Sequence, residues 1–594
     1  MNFNQSLTAI AALAAGMALS GCTDNDYDLS DIDTTVKVQV NDLVVPVNLS
    51  EIVLSDVIKI DNNEGDIIRE IDGEYVILKN GDFHSDDIKV EETVVNSDAT
   101  KPIVTTVYKY NGSGYLPPEF TIPEQIYRYE VTDAFTTFRS STNNIPTNIR
   151  DIESVETSWT LSLEITLSAE QNLFSKMAFH DIVFSLPEGL QGPEIAADGS
   201  VKVPDFILNG SHLSHRFDVE ITNVDIAAFK ADADNSYTFT PGPVGSKGSL
   251  TMEGKIGLKS GEIIVETASA SASAPGNVTM ITTPSFSPIK VNTFTGMFYY
   301  SIDNFNVSKI DISGLPDFLN QSGTDIVLSN PQIYLSINNP LASYSLNPAS
   351  GLSITPYRGN TPGTPASLDA GELVSIGSDK GVTGPYIFCL SPETPDEMYA
   401  PFAGAAHVGY ASLSYVLSGD GMPTSLDVNF IDPAVQGHVT KFAVGRQLDR
   451  VEGKYTFYSP LNLKPGSKIV YSGTEDGWSD DTVEKLTVTS LKVNTTVQNA
   501  LPIDVEISGY PINTKGEQCR DAATGKPVTI TPVTVKGNTS AAITLSTEGN
   551  ITDLDGIVYK ATVISDKSEN LKPSGTLKLT DIRATVSGYY LDEL

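Results

Sequence analysis

The sequence predicts an all-β protein: several antiparallel β-sandwich domains of immunoglobulin-like type in tandem, with few short helices. Three observations predict it. Segments that alternate apolar and polar residues recur along the chain. Glycine (46) and proline (34) are spread between them as turn punctuation. Runs with the spacing of an amphipathic helix are scarce. The 594 residues suffice for about three to five domains at roughly 150 residues each.

The first element is an apolar run, Leu7 to Leu19, rich in Ala and Leu. It is too short to span a bilayer and has the length of a signal-peptide core. It ends Leu19-Ser20-Gly21-Cys22 and is followed by the acidic stretch Thr23-Asp24-Asn25-Asp26-Tyr27-Asp28. The junction resembles the bacterial lipobox, in which the cysteine thiol is lipidated and cleavage occurs just before it. Small residues at 20 and 21 give a peptidase access, and two or three acyl chains at about 0.8 kcal/mol per buried CH₂ make a durable anchor. Met1 to Ser6 departs from the pattern in carrying no Lys or Arg. Asp24, Asp26 and Asp28 resemble the acid-rich export signals of Bacteroidetes-type surface lipoproteins. That resemblance implies an outer-membrane protein, lipid-anchored through Cys22 and facing the cell surface. The same aspartates do not make an EF-hand, because Leu29 and Thr35 stand where Gly and Glu are required.

The expected domains are a signal peptide (1–21), an acidic tether (22–35), an N-terminal β domain (36–148) and β-sandwiches at 149–300, 301–448 and 449–594. In the first, Val36, Val38 and Val40 alternate, and Asn80-Gly81 within Glu74–Phe83 reads as a hairpin turn. Ser140–Asn148 has a loop composition. In the second, Trp159, Leu161, Leu163, Ile165 and Leu167 share one face of a strand; Ala169–Met177 is a short helix candidate, and Ala268–Ala274 reads as either a flexible linker or a small-residue strand, the alternation favouring the strand. In the third, Leu315–Leu319 is the other helix candidate, and Pro356–Pro365 reads as a loop. In the last, Leu491–Val497 and Thr576–Val586 alternate again.

Ile337, Asn339 and Leu341 repeat as Val497, Asn499 and Leu501, each after an alternating strand. An Asn at a strand end can bond its own backbone and start a turn. The pattern resembles the strand-Asn-Pro signature of LEA-type-2/WHy immunoglobulin-like sandwiches, with Pro340 in register and Pro502 displaced. Asp28–Val47, Asp72–Ser85 and Tyr458–Tyr471 also resemble stretches of uncharacterised Bacteroidetes surface lipoproteins. That resemblance implies location and β architecture and transfers no site residues.

Chemistry-bearing motifs are few. The net charge of −36 argues against nucleic acid, which needs clustered Lys and Arg. Cys389, in Y-I-F-C-L, reads as core; Cys519, in G-E-Q-C-R-D, reads as a polar turn. No Cys-x-x-Cys, His-Glu-x-x-His or Gly-x-Ser-x-Gly occurs. His212 and His215 have i, i+3 spacing but lie between strand-like segments, which favours a solvated turn over a metal pair. Gly242–Ser249 and the Ala-Thr-Gly-Lys-Pro run ending at Pro527 lack phosphate-loop spacing and read as hairpin turns. Seventy-four acidic residues make any carboxylate pair uninformative. No catalytic residue, cofactor or metal is expected. Trp159 reads as core, while Trp478, in T-E-D-G-W-S-D-D, reads as an exposed ligand contact. The expectation is a non-enzymatic protein that binds an extracellular glycan or protein. Its rivals are an assembly component of an outer-membrane or appendage complex and a carboxylate-dependent surface hydrolase.

Overall fold

The computed structural model describes residues 35–45, 52–53, 67–108, 126–131, 134–168, 174–209, 212–267, 278–302, 305–375, 384–479, 483 and 485–593. The expectations for Cys22, Asp24, Asp26, Asp28 and Ala268–Ala274 lie outside these residues. The chain is all-β, 62% strand and 4% helix, in several antiparallel sheets. It divides into two compact units. A terminal unit takes Met1–Val57, Val470–Ile564 and Ser574–Leu594, and a central unit takes Ile58–Ile469 and Ser565–Pro573. The boundaries expected after 148, 300 and 448 therefore all fall inside the central unit. Strand Gly248–Thr267 pairs with Ala134–Ile145 across the first of them, and Ile289–Ser301 pairs with Ser425–Ala443 across the second.

The terminal unit is a two-sheet sandwich. One sheet runs Thr35–Val45, Thr576–Glu593, Thr487–Asn499, Thr539–Ile551, with Ile52–Val53 also on Thr576–Glu593. The other runs Lys468–Glu475, Leu554–Ile564, Asp504–Asn513, Ile530–Val535. Alternation is the cause. Leu491, Val493 and Val497 face inward while Lys492, Asn494 and Gln498 face out. Val505, Ile507, Ile557 and Ala561 join them in the same core. Each such Val, Leu or Ile contributes about 1.5–3 kcal/mol by leaving water. The strand Thr35–Val45 behaves differently: Val36 and Val38 are 37% and 39% exposed, and its apolar side is buried only from Val40 onward.

In the central unit, Ser154–Ser168 is hydrogen-bonded along one side to Ser214–Asp225 and along the other to Val278–Phe286 and Ile289–Ser301. The Trp159–Leu167 alternation is buried as expected. Trp159 stacks on Phe286 at 4.9 Å and meets Phe138 edge-on at 5.8 Å. Phe138 comes from a second sheet containing Ala134–Ile145, Gly248–Thr267 and Phe174–Ser185. The short strand Val94–Ser97 bonds to both sheets, through Val95 to Ile289 and Asn96 to Ser141. A further sheet carries Glu74–His84, Glu452–Pro460, Gln332–Asn338 and Tyr386–Ser391 in order. Ala406–Gly409 joins it in parallel, and Asn306–Val307 pairs with the outer side of Glu74–His84.

Several local expectations are corrected. Asn80-Gly81 is not a turn but the middle of the continuous strand Glu74–His84. The turn lies at Asp72-Gly73, where both residues have positive φ (53° and 78°) and join Ile68–Ile71 to that strand. Gly81 serves a close approach instead: a Cβ there would lie 2.3 Å from the Tyr455 ring. The described part of Ala169–Met177, from Phe174, is strand. Ser140–Ile145 ends a strand, and Pro356–Pro365 is a hairpin turning at Gly359. The one α-helix among the described residues is Ile226–Ala231, capped by Asp225 accepting from the Ala228 N–H at 3.1 Å. Leu315–Leu319 overlaps a 3₁₀ turn at Asp317–Asn320.

The repeated Asn is a matched pair. Asn339 Oδ1 accepts from Leu341 N at 3.0 Å, and its Nδ2 donates to Leu346 O at 3.0 Å. Asn499 Oδ1 accepts from Leu501 N at 3.0 Å, and its Nδ2 donates to Ile503 O at 2.9 Å. Both side chains are buried. Each staples the turn that leaves its strand.

Candidate functional site

Two small enclosed cavities lie among the described residues. The central unit holds an apolar cavity of about 40 Å³ beside Val155, Leu250, Met252 and Phe294, and the terminal unit one of about 20 Å³. Both are far below the roughly 300 Å³ at which ligand pockets begin. A groove of about 390 Å³ on the central unit is different in size and chemistry. It is lined by Asp82, His84, Asn306, Ser308, Asp427 and Asn429, with Phe305, Val307 and Val428 as its apolar part.

Strand alternation builds its walls. Asp82 and His84 leave the same side of Glu74–His84, and Asp427 and Asn429 the same side of Ser425–Ala443. The intervening Phe83 is buried and packs on Phe305 (6.2 Å) and Phe430 (5.1 Å), which stack on each other at 4.5 Å. The polar rows thus stand on an aromatic support. Asp82 is held through its backbone: its N–H donates to Ser308 Oγ at 3.1 Å, and its carbonyl accepts from Ser308 N at 3.1 Å. Tyr455, seated over Gly81, donates its hydroxyl proton to Ser308 O at 2.8 Å. Burial pushes the Tyr455 phenol up, so it stays a neutral donor. His84 Nδ1 lies 3.1 Å from Ser85 O; with the proton on Nδ1, Nε2 is an acceptor. The carboxylates of Asp82 and Asp427 have no ion-pair partner among the described residues, and no Lys or Arg lines the groove. The site can exchange hydrogen bonds with a polar ligand while Phe305 offers it an apolar surface. The reading from sequence missed it, because its residues come from three segments far apart in the chain.

The residues singled out from sequence fall elsewhere. Trp478 is not exposed; it is 2% exposed and belongs to the terminal core. Gly477 takes a positive φ (80°), Trp478 N–H donates to Asp555 O at 2.7 Å, and Ser479 N–H to Asp555 Oδ1 at 2.9 Å. The loop folds back, leaving Asp476 outside and the ring inside. Cys519 is also core rather than a polar turn, because its backbone bonds to Pro511 and Val528 turn the thiol inward. Cys389 is core as expected, and both thiols are free. His215 lies on a strand with its ring stacked on Phe206 at 4.0 Å; His212 is in an isolated bridge to Asn209. No group of three metal-ligating side chains occurs among the described residues.

Folding also makes one Ser–His contact, Ser391 Oγ to His407 Nε2 at 3.1 Å. Ser391 is fully buried and donates to Glu393 O at 2.8 Å, and no carboxylate is bonded to His407 among the described residues. A nucleophile needs an accessible oxygen and an oriented base. This contact is structural.

No family model matches the chain, and no curated protein matches it. Among solved structures it is similar to a "putative secreted protein" from Parabacteroides distasonis, at 15% identity and a TM-score of 0.32. That match covers 50% of this chain and 90% of the other. The Faustovirus major capsid protein aligns over 99% and 97% of the two chains at 8% identity, with a TM-score of 0.07. At these TM-scores neither likeness carries an argument about this chain.

Proposed function

We propose that the chain is a cell-surface binding protein, lipid-anchored to the outer membrane through Cys22, that holds an extracellular glycan or protein in the groove of Asp82, His84, Asp427 and Asn429. The groove carries the reading: convergent polar side chains stand on rigid strands beside an aromatic ring, in the size range of ligand sites. The anchor and export parts rest on Leu19-Ser20-Gly21-Cys22 and on Asp24, Asp26 and Asp28. Two experiments test it. Protease shaving of intact cells should digest the wild type and spare a variant with those three aspartates changed to Ala. A screen of glycans and extracellular proteins should yield a ligand whose affinity falls at least about tenfold in Asp427→Ala, the loss of one or two charged hydrogen bonds.

The two carboxylates also favour a second reading, a surface hydrolase. Turnover of a polysaccharide by the wild type, abolished in Asp82→Asn or Asp427→Asn, would establish it over simple binding.

A further inference from the structure

Resting on the groove as a binding site, we propose that its ligand is a neutral glycan and that it discriminates against acidic ones. Six of the nine lining residues are polar, and each ends in a carboxylate, an amide, an imidazole or a hydroxyl. Vicinal sugar hydroxyls both donate and accept. Asp82 and Asp427 accept from them, and Asn306 and Asn429 do both. Phe305 offers the apolar flank on which the C–H face of a pyranose rests.

Charge narrows the class. A sulfate or uronate would meet the carboxylates of Asp82 and Asp427; Lys454 stands opposite Asp82 in the strand register but makes no ion pair with it, and no guanidinium or ammonium lines the groove to receive the anion. The surrounding chain, at −36, adds repulsion at longer range. A protein ligand fits less well. Peptides are taken up by adding a strand to a free sheet edge or by burying apolar anchors. The strand at this edge, Asn306–Val307, has two residues, and the apolar share of the lining is three residues.

The test is calorimetry on the full chain at low and at physiological salt. The probes are neutral gluco-, manno- and xylo-oligosaccharides, their sulfated or uronate counterparts, and neutral and Lys-rich peptides. A neutral oligosaccharide is expected to bind at least about tenfold more tightly than its acidic counterpart at low salt, with a smaller gap at high salt. Asp82→Asn with Asp427→Asn should shrink that gap to about threefold or less while circular dichroism and melting stay unchanged. Phe305→Ala should weaken the neutral sugar about tenfold, the loss of its apolar flank. Preference for the acidic sugar, a gap unmoved by the double variant, or binding of peptides alone overturns the proposal. Binding of no sugar and no protein by the wild type removes the binding-site reading itself, and the proposal with it.

Discussion

Replacing Asn499 by Ala should destabilise the terminal unit by about 3–5 kcal/mol. The Oδ1 accepts one bond, from Leu501 N at 3.0 Å. The two Nδ2 hydrogens are shared among Ile503 O at 2.9 Å, Lys536 O at 3.2 Å and Val535 O at 3.3 Å. That amounts to three good bonds, each contributing about 1 kcal/mol net. The side chain is 2% exposed, so water does not replace it and the orphaned groups add about 1–2 kcal/mol. The protein supplies its own reporters, with one tryptophan in each unit: Trp159 in the central and Trp478 in the terminal. Urea titrations of Trp159→Phe and Trp478→Phe backgrounds read the units separately. With a slope of about 2 kcal/mol per molar, the Trp478 midpoint should fall by about 1.5–2.5 M in Asn499→Ala. Asn339→Ala, which removes the bonds to Leu341 N and Leu346 O, should lower the Trp159 midpoint in the same way. A shift below about 0.5 M for Asn499→Ala, or a larger shift at Trp159 than at Trp478, would show that the buried Asn is not what closes this turn.

Gly81→Ala should cost about 2 kcal/mol or more, because the new methyl meets the Tyr455 ring, and Gly81→Ala with Tyr455→Phe should not recover it; thermal melting decides. Thiol labelling of the native protein should leave Cys389 and Cys519 unmodified at neutral pH and reach both in denaturant, since burial pushes Cys519 up to about 11 and raises Cys389 as well. Burial works to raise the Asp555 carboxyl, but hydrogen bonds from Ser479, Gly477 and Trp478 hold it below its ordinary value. A lowered carboxylate stabilises the fold above the unfolded pKa, near 4, and that stability is lost as pH falls through the folded value. Acid titration should therefore change Trp478 fluorescence below about pH 4, and Asp555→Asn should remove that step.

The strands were the legible part. Trp159 to Leu167 and Leu491 to Val497 were read correctly because a period of two, with one face buried, is written directly in the residues. The Asn339 and Asn499 staples were legible too, since the Asn bonds a backbone N–H two residues on. What failed was decided by distant partners. Asn80-Gly81 and Asp72-Gly73 both have hairpin chemistry, and the first is a strand interior because it pairs with Tyr455 and Thr456 in the ladder to Glu452–Pro460, far along the chain. Trp478 and Cys519 sit among polar neighbours, and the direction of each side chain is set by backbone bonds to Asp555 and to Pro511 and Val528. The groove was illegible for the same reason: no local pattern joins Asp82 to Asp427.

Among the described residues, the strand Thr35–Val45 pairs with Thr576–Glu593 alone; Asp42 N–H donates to Ser587 Oγ across 545 positions. Synthesis makes the first strand long before the last. Until Thr576–Glu593 is made, the backbone N–H and C=O groups through which Thr35–Val45 pairs with it stand open, the kind of edge that templates aggregation. Pairing at such separation is slow as well as late. Pairing of this sheet thus reports that synthesis has passed through Thr576–Glu593: a chain that breaks off before Thr576 keeps the hydrogen-bonding groups of Thr35–Val45 unpaired, the kind of open strand that leaves a partly made chain prone to aggregate.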